Sequence, residues 1–221
     1  MTSKILLVSS CTARKFVPAG SRRVSAESLY AGQQHVRLMR GVAAYRAAGQ
    51  PAGDLRFRIL SARHGLLPPR RAIRTYDQTF SGLTAAEIRR AAQASDLPDK
   101  MRALLRQPFE FGLLLLADPY LRACDLDGDI ELGGPLLALC SPAAARRLPR
   151  MPGLRTVCLT NAEARRFKCG MVALKGELGR RVLDRLTADP SELVHLLDPA
   201  TDVLAWIEPR SLLRRPELVA A

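Results

Sequence analysis

The sequence predicts an α/β protein: a Rossmann-like three-layer sandwich with a mostly parallel sheet of about five strands and helices closing its C-terminal part. Three observations predict it. Short apolar runs alternate with longer helical stretches along the chain, and strands separated by helices pair in parallel. Residues 111–117 form an unbroken apolar run, as a strand buried on both faces must. Two apolar strands stop abruptly in small, polar and cationic residues, at 9–15 and at 61–65. In an open α/β sheet, ligands bind at such carboxyl ends of strands.

Each element follows in order. Residues 4–10 read as the first strand. Residues 25–48 read as one helix: Ser25 caps it, Glu27 sits in its first turn, Gly49 and Pro51 end it, and Val36, Met39 and Ala43 share a face. Residues 57–61 are the second strand. Thr84-Ala85-Ala86-Glu87 is a capping box opening a helix that is interrupted near Pro98 and resumes to about Arg106. The 111–117 strand is followed by a short helix over 120–124. The acidic, glycine-bearing segment 125–134 reads as a loop; it lacks the glutamate that closes a calcium loop.

Residues 136–140 are the fourth strand, with Ser141-Pro142 as cap and first helical residue. Residues 156–160 are the fifth, and Thr160-Asn161-Ala162-Glu163 is a second capping box. Helices over 174–186 and 190–197 follow, the latter capped by Asp189. Residues 1–209 are expected to form a single α/β domain and 210–221 a loosely held tail.

Composition narrows the function. With 221 residues, 48% of them apolar, the chain can bury an ordinary core. No stretch approaches the roughly 18 apolar residues of a membrane span. The first strand begins too early to leave room for a signal peptide, so a cytoplasmic protein with no membrane partner is expected. The five cysteines show no C-x-x-C spacing, so zinc and a disulfide framework are both poorly supported. No metal and no cofactor is expected.

The net charge of +13 favours nucleic acid or another polyanion. A GC-rich coding sequence would yield the same arginine-heavy balance whatever the function. The positive charge is spread as arginine pairs, 22–23, 70–71 and 165–166 among them, which are also what ordinary solvated helix faces carry. There is no Gly-x-Gly-x-x-Gly, no phosphate-cradling Walker loop and no Gly-x-Ser-x-Gly elbow.

The two polar strand ends suggest one site built from both. Cys11 precedes Arg14 and Lys15, and nearby cations raise a thiol's thiolate fraction; such a thiolate attacks electrophilic carbon. A small buried residue at a strand end is the competing reading. Arg14 or Lys15 suits a phosphate or an acidic group across the site. His64, beside Gly65, has the near-neutral acidity of a general acid or base, or else holds the loop as a neutral hydrogen-bonding group. Asp77, after Tyr76, is placed to orient His64 or to accept hydrogen bonds from a ligand, and it also suits an ordinary turn. The connection over 66–80 is long for a compact domain, which favours a functional role. Asp118, at the end of the leucine-rich strand, lines the same sheet edge, a helix cap being the preferred reading.

Cys11-Thr12-Ala13-Arg14-Lys15, Ser28-Leu29-Tyr30, residues 60–67 (Leu-Ser-Ala-Arg-His-Gly-Leu-Leu) and Tyr76-Asp77 resemble, in that order, a small and mostly uncharacterised domain family. Its pattern is Cys-Ser-x-x-Lys, Leu-Tyr, Leu-Ser-Ala-Lys-His-Gly-Leu, Tyr-Asp. That family is similar to the peroxide-stress protein YaaA and, more distantly, to a domain of archaeosine synthase. The match spans residues 4–80; the remainder shares only the strand–helix rhythm. Thr12 replaces a serine of the pattern. Arg63 replaces a lysine, keeping the charge while removing an amine able to act as base or form a Schiff base.

The resemblance implies a nucleobase-containing partner, either a small molecule or tRNA or DNA. It implies 7-deazaguanine chemistry in particular, since relatives act on the nitrile of 7-cyano-7-deazaguanine or bind DNA under oxidative stress. On this reading Cys11 attacks the nitrile to give a thioimidate, Lys15 assists ionisation of the thiol, and His64 with Asp77 moves protons. Ser9, Ser10, Thr12, Arg14, Tyr30, Ser61, Arg63, Gly65, Tyr76 and Asp118 contact the substrate. Two further readings stay open: a non-catalytic nucleic-acid binder, and a base–sugar cleaving or exchanging enzyme using Asp77 or Asp118.

Overall fold

The computed structural model describes residues 3–16 and 22–208; the expected tail at 210–221 lies outside the described residues. The chain runs β1 (Lys4–Ser10), β2 (Val24–Ser25), α1 (Ala26–Leu29), α2 (Gln33–Ala47), β3 (Asp54–Ser61), β4 (Gly65–Leu67) and β5 (Ala72–Ile73). Next come α3 (Ala85–Gln93), α4 (Leu97–Leu105), β6 (Phe111–Leu115), α5 (Asp118–Ala123), β7 (Leu136–Cys140), α6 (Pro142–Ala145) and β8 (Leu154–Cys158). The C-terminal part holds α7 (Asn161–Arg166), α8 (Met171–Ala188), a 3-10 turn (Pro190–Glu192), α9 (Leu193–Leu197) and α10 (Val203–Trp206).

A six-stranded sheet in the order β4-β3-β1-β6-β7-β8 forms the middle layer. Five strands are parallel, and β4 runs antiparallel on β3 at one edge. Every residue of β6 and β7 is buried, as expected of strands covered by helices on both faces. Counting only the parallel strands, the order is the doubly wound 2-1-3-4-5. In such sheets the chain reverses its direction of winding at the first strand and leaves a crevice beyond the carboxyl ends of the strands there. Here that crevice lies between the ends of β1 and β6.

The expected strands are all present, with β3 and β8 starting earlier than the apolar runs suggested. The additional strand β4 comes from Gly65, whose φ of +65° turns the chain back so that Ser61 pairs with Gly65; that left-handed backbone is the region glycine adopts without cost. Both capping boxes form, at Thr84 and Thr160. The helix expected over 84–106 breaks just before Pro98, at Asp96, whose φ is +51°.

The single helix expected over 25–48 is corrected to two. Tyr30 is extended at their junction and pairs with Lys15. The amide of Phe16 donates to Leu29 O at 2.7 Å and that of Ala31 to Arg14 O at 2.9 Å, so the strap after β1 takes up backbone groups that a continuous helix would need. The buried face of α2 is also corrected. It consists of His35, Leu38, Gly41, Val42 and Tyr45, while Val36 and Ala43 face solvent. Close packing against α8 sets this rotation: a Cβ at Gly41 would lie 2.8 Å from Arg180 Cα, and one at Gly176 would collide with Gln34 O.

Candidate functional site

The ladder between β1 and β3 continues one residue past β1, with the Cys11 amide donating to Leu60 O at 2.8 Å. This holds the buried Cys11 at the crevice mouth. Its Sγ lies 3.1 Å from the hydroxyl of Tyr120, on α5 at the end of β6. Tyr120 Oη also lies 3.4 Å from Thr79 Oγ1. A second chain of hydroxyls starts at Tyr30, whose Oη is 2.8 Å from that of Tyr76, which in turn lies 2.7 Å from Ser61 Oγ. Ser61 Oγ accepts the backbone amides of Arg63 and His64, at 3.2 and 3.1 Å. One buried serine thus anchors both the phenol chain and the turn that carries His64.

Charge borders this cluster. Lys15 Nζ stands 4.4 Å from the centre of the Tyr76 ring, a cation–π distance, and donates to Ala13 O at 3.3 Å. The His64 ring meets Tyr76 edge to face, centroids 5.1 Å apart. Partial burial and the cations of Arg63 and Arg71 push the His64 pKa below the ordinary imidazole value, so the ring is neutral at physiological pH.

Burial, with Cys11 next in weight, pushes Tyr30 up to about 12 and moves Tyr76 and Tyr120 upward as well. All three phenols therefore keep their protons at neutral pH and remain able to donate a hydrogen bond. The arrangement suits adding a thiol to an electrophilic carbon: a nucleophile, a protonated phenol touching it, a cation on an aromatic face and a neutral imidazole at the rim.

The expected residues divide into two groups. Cys11, Lys15, Tyr30, Ser61, His64 and Tyr76 gather around the phenols. Ser10 accepts the Ala117 amide at 3.4 Å, tying the end of β1 to that of β6. Ser9 is buried, and its hydroxyl has no partner among the described residues. Thr12 is structural: it accepts the Gly32 amide at 3.0 Å and donates to Arg14 O at 2.9 Å, fixing the strap against the start of α2. Arg63 is exposed and meets Ser61 through its backbone alone. Gly65 serves the β3–β4 turn.

Asp77 is not brought to His64. It is exposed and makes no hydrogen bond or ion pair among the described residues, because in an extended segment the neighbour of an inward Tyr76 faces outward. Asp118 is not a helix cap. It opens α5 without a capping bond, accepts a hydrogen bond from Ser141 Oγ and faces the Lys175 ammonium. Lys175, from α8, donates to Leu116 O, and burial lowers its pKa. Asp118 also lines a pocket of about 140 Å³ with Arg122, Asp125 and Arg147.

Tyr120, Thr79 and Lys175 were not anticipated. The signal for Tyr120 was present: Asp118-Pro119-Tyr120 directly follows the leucine strand, and of the three the aromatic is the one that meets the thiol. Lys175 left no local signal, because it comes from a helix distant in sequence. No group of histidine, cysteine or carboxylate residues among the described residues could hold a metal ion, and no helix among them is long and apolar enough to cross a membrane.

Fold and site together define an open, doubly wound α/β protein with a thiol and phenol cluster at its switch point. No family model, curated protein or solved structure matches the chain.

Proposed function

We propose that this chain is an enzyme that adds the Cys11 thiol to an electrophilic carbon of a modified nucleobase, the nitrile of a 7-deazaguanine. The observation that carries the reading is the 3.1 Å contact between Cys11 Sγ and Tyr120 Oη at the switch-point crevice. A hydrogen-bond donor on a cysteine stabilises the thiolate, and a phenol held well above its usual pKa remains a donor throughout. The resemblance of the motif set to that of deazaguanine-modifying proteins suggests the substrate class.

In the first step Sγ bonds to the nitrile carbon, one C–N π bond breaks, and the thiol proton is delivered to nitrogen. The product is a neutral thioimidate. Water then adds to the same carbon, and the C–S bond breaks to release the carboxamide and the free thiol; an amine in place of water gives the amidine. Tyr120 is the group in contact with the sulfur and relays its proton. The neutral His64 is available as base toward the incoming water. Lys15, fixed over Tyr76, offsets negative charge developing on sulfur.

The test is mass spectrometry of the intact protein after incubation with 7-cyano-7-deazaguanine, as base, nucleoside and nucleotide. We expect an adduct of the whole substrate mass on Cys11, or carboxamide in solution. In Cys11→Ala both should fall by at least about 10³-fold with the circular dichroism spectrum unchanged. Full turnover in Cys11→Ala would exclude the thiol as nucleophile.

A further inference from the structure

The strap that carries Lys15 also borders a second cationic feature. Lys15 and Tyr30 pair through their backbones and belong to the phenol cluster. Their chain neighbours Arg14 and Ala31, joined by the 2.9 Å bond from Ala31 N to Arg14 O, line an open pocket of about 400 Å³ with Gln33, Val36, Arg37 and Arg40 of α2. That volume falls within the range of small-ligand sites.

Three arginines line one opening. Arg37 is held from behind by Glu177, at 3.0 Å, a carboxylate already shared with Arg180 and Arg181. Among the described residues neither Arg14 nor Arg40 has an ion pair. The pocket therefore keeps a net positive charge with two uncommitted forks, and planar guanidinium matches phosphate oxygens in pairs. Arg14 and Lys15 are consecutive in the extended strap, so their side chains leave it on opposite faces, and the pocket and the phenol cluster border the same segment of chain from its two sides.

We propose that this pocket binds a phosphate attached to the nucleoside whose base occupies the Cys11 site, so that the substrate is a nucleotide, either free or within a polynucleotide. The inference rests on the nucleobase reading of that site. It also assigns Arg14 a role distinct from that of Lys15 beside it: Arg14 selects the phosphate, Lys15 serves the base.

The experiment is calorimetric titration of the full-length protein with four probes: 7-cyano-7-deazaguanosine, its 5′-monophosphate, pyrophosphate, and a single-stranded RNA containing the modified base. Each is repeated on Arg14→Ala/Arg40→Ala, chosen because it leaves the Arg37–Glu177 pair intact, and on Arg14→Lys/Arg40→Lys as a charge-keeping control. The monophosphate should bind about ten-fold or more tighter than the nucleoside, and this ratio should fall to about one in the alanine variant, with nucleoside affinity unchanged and partial recovery in the lysine variant. If the RNA is the natural source of the phosphate, its affinity should exceed that of the monophosphate and its salt slope should drop by about 0.7 in the alanine variant. RNA binding no tighter than the monophosphate would assign the phosphate to a free nucleotide. A phosphate preference that survives the alanine variant, or is absent from the unaltered protein, overturns the proposal. Pyrophosphate bound through Arg14 and Arg40 without any nucleoside binding would uphold the pocket and overturn the nucleobase reading.

Discussion

Two polar clusters buried among the described residues are built in opposite ways. At the crevice two short chains of uncharged hydroxyls lie side by side, Tyr120 against the Cys11 sulfur at 3.1 Å and Tyr30, Tyr76 and Ser61 linked at 2.7 to 2.8 Å. On the helix layer, Glu177 is a nearly fully buried carboxylate surrounded by Arg37, Arg180 and Arg181 at 2.6 to 3.0 Å. The first cluster has hydrogen-bonding capacity to spare and a nucleophile within it. The second is saturated, and hydrogen bonds from its arginines outweigh the desolvation of the carboxylate and hold it down to about 2. Compensated charge here joins α2 to α8, whereas neutral donors gather where the sheet opens.

The largest effect is expected at the saturated cluster. Glu177→Gln leaves three arginines facing one another and should cost about 2 to 3 kcal/mol in urea unfolding, short of a wholly buried pair because the arginines keep contact with water. The pH dependence has a definite sign. The carboxylate's folded pKa lies below its unfolded value, so its stabilisation is present above the usual glutamate range and is lost as pH falls through it toward about 2. A variant as stable as the parent would remove the distinction between the clusters. A smaller effect is expected at the crevice. Tyr76→Phe deprives Tyr30 and Ser61 of their shared partner and should cost about 1 to 2 kcal/mol, with weaker nucleoside binding; unchanged stability and binding would mean that the phenol chain is not continuous.

How far each part was legible follows from geometry. The central strands announce themselves as unbroken apolar runs because both of their faces are covered. The edge strand β4 has three residues and owes its existence to one glycine turn, so no periodicity could mark it. Cys11, Lys15, Ser61, His64 and Tyr76 stood out because the strand ends and motif spacing gather them. The choice between Asp118 and Tyr120 was not legible, since it depends on the facing of α5. Residues two apart on a helix point away from each other; once Asp118 turns to Ser141 and Lys175, Tyr120 is directed to the thiol. The split at Tyr30 was hidden for a similar reason, the strap that competes for its backbone being remote in sequence from α2.

The concentration of phenols in one place has an optical consequence. The chain has four tyrosines; three are in the crevice, and the fourth, Tyr45, is pushed by burial up to about 12, as Tyr30 is. Their folded values lie above the unfolded value near 10, so native stability falls as pH rises beyond that point. The near-ultraviolet absorbance of phenolate should therefore stay flat through pH 10 and then rise in one cooperative step that coincides with loss of ellipticity. A gradual rise centred on pH 10 in still-folded protein would show that the crevice admits hydroxide freely. With a single step, base titration becomes a direct optical record of when the crevice comes apart.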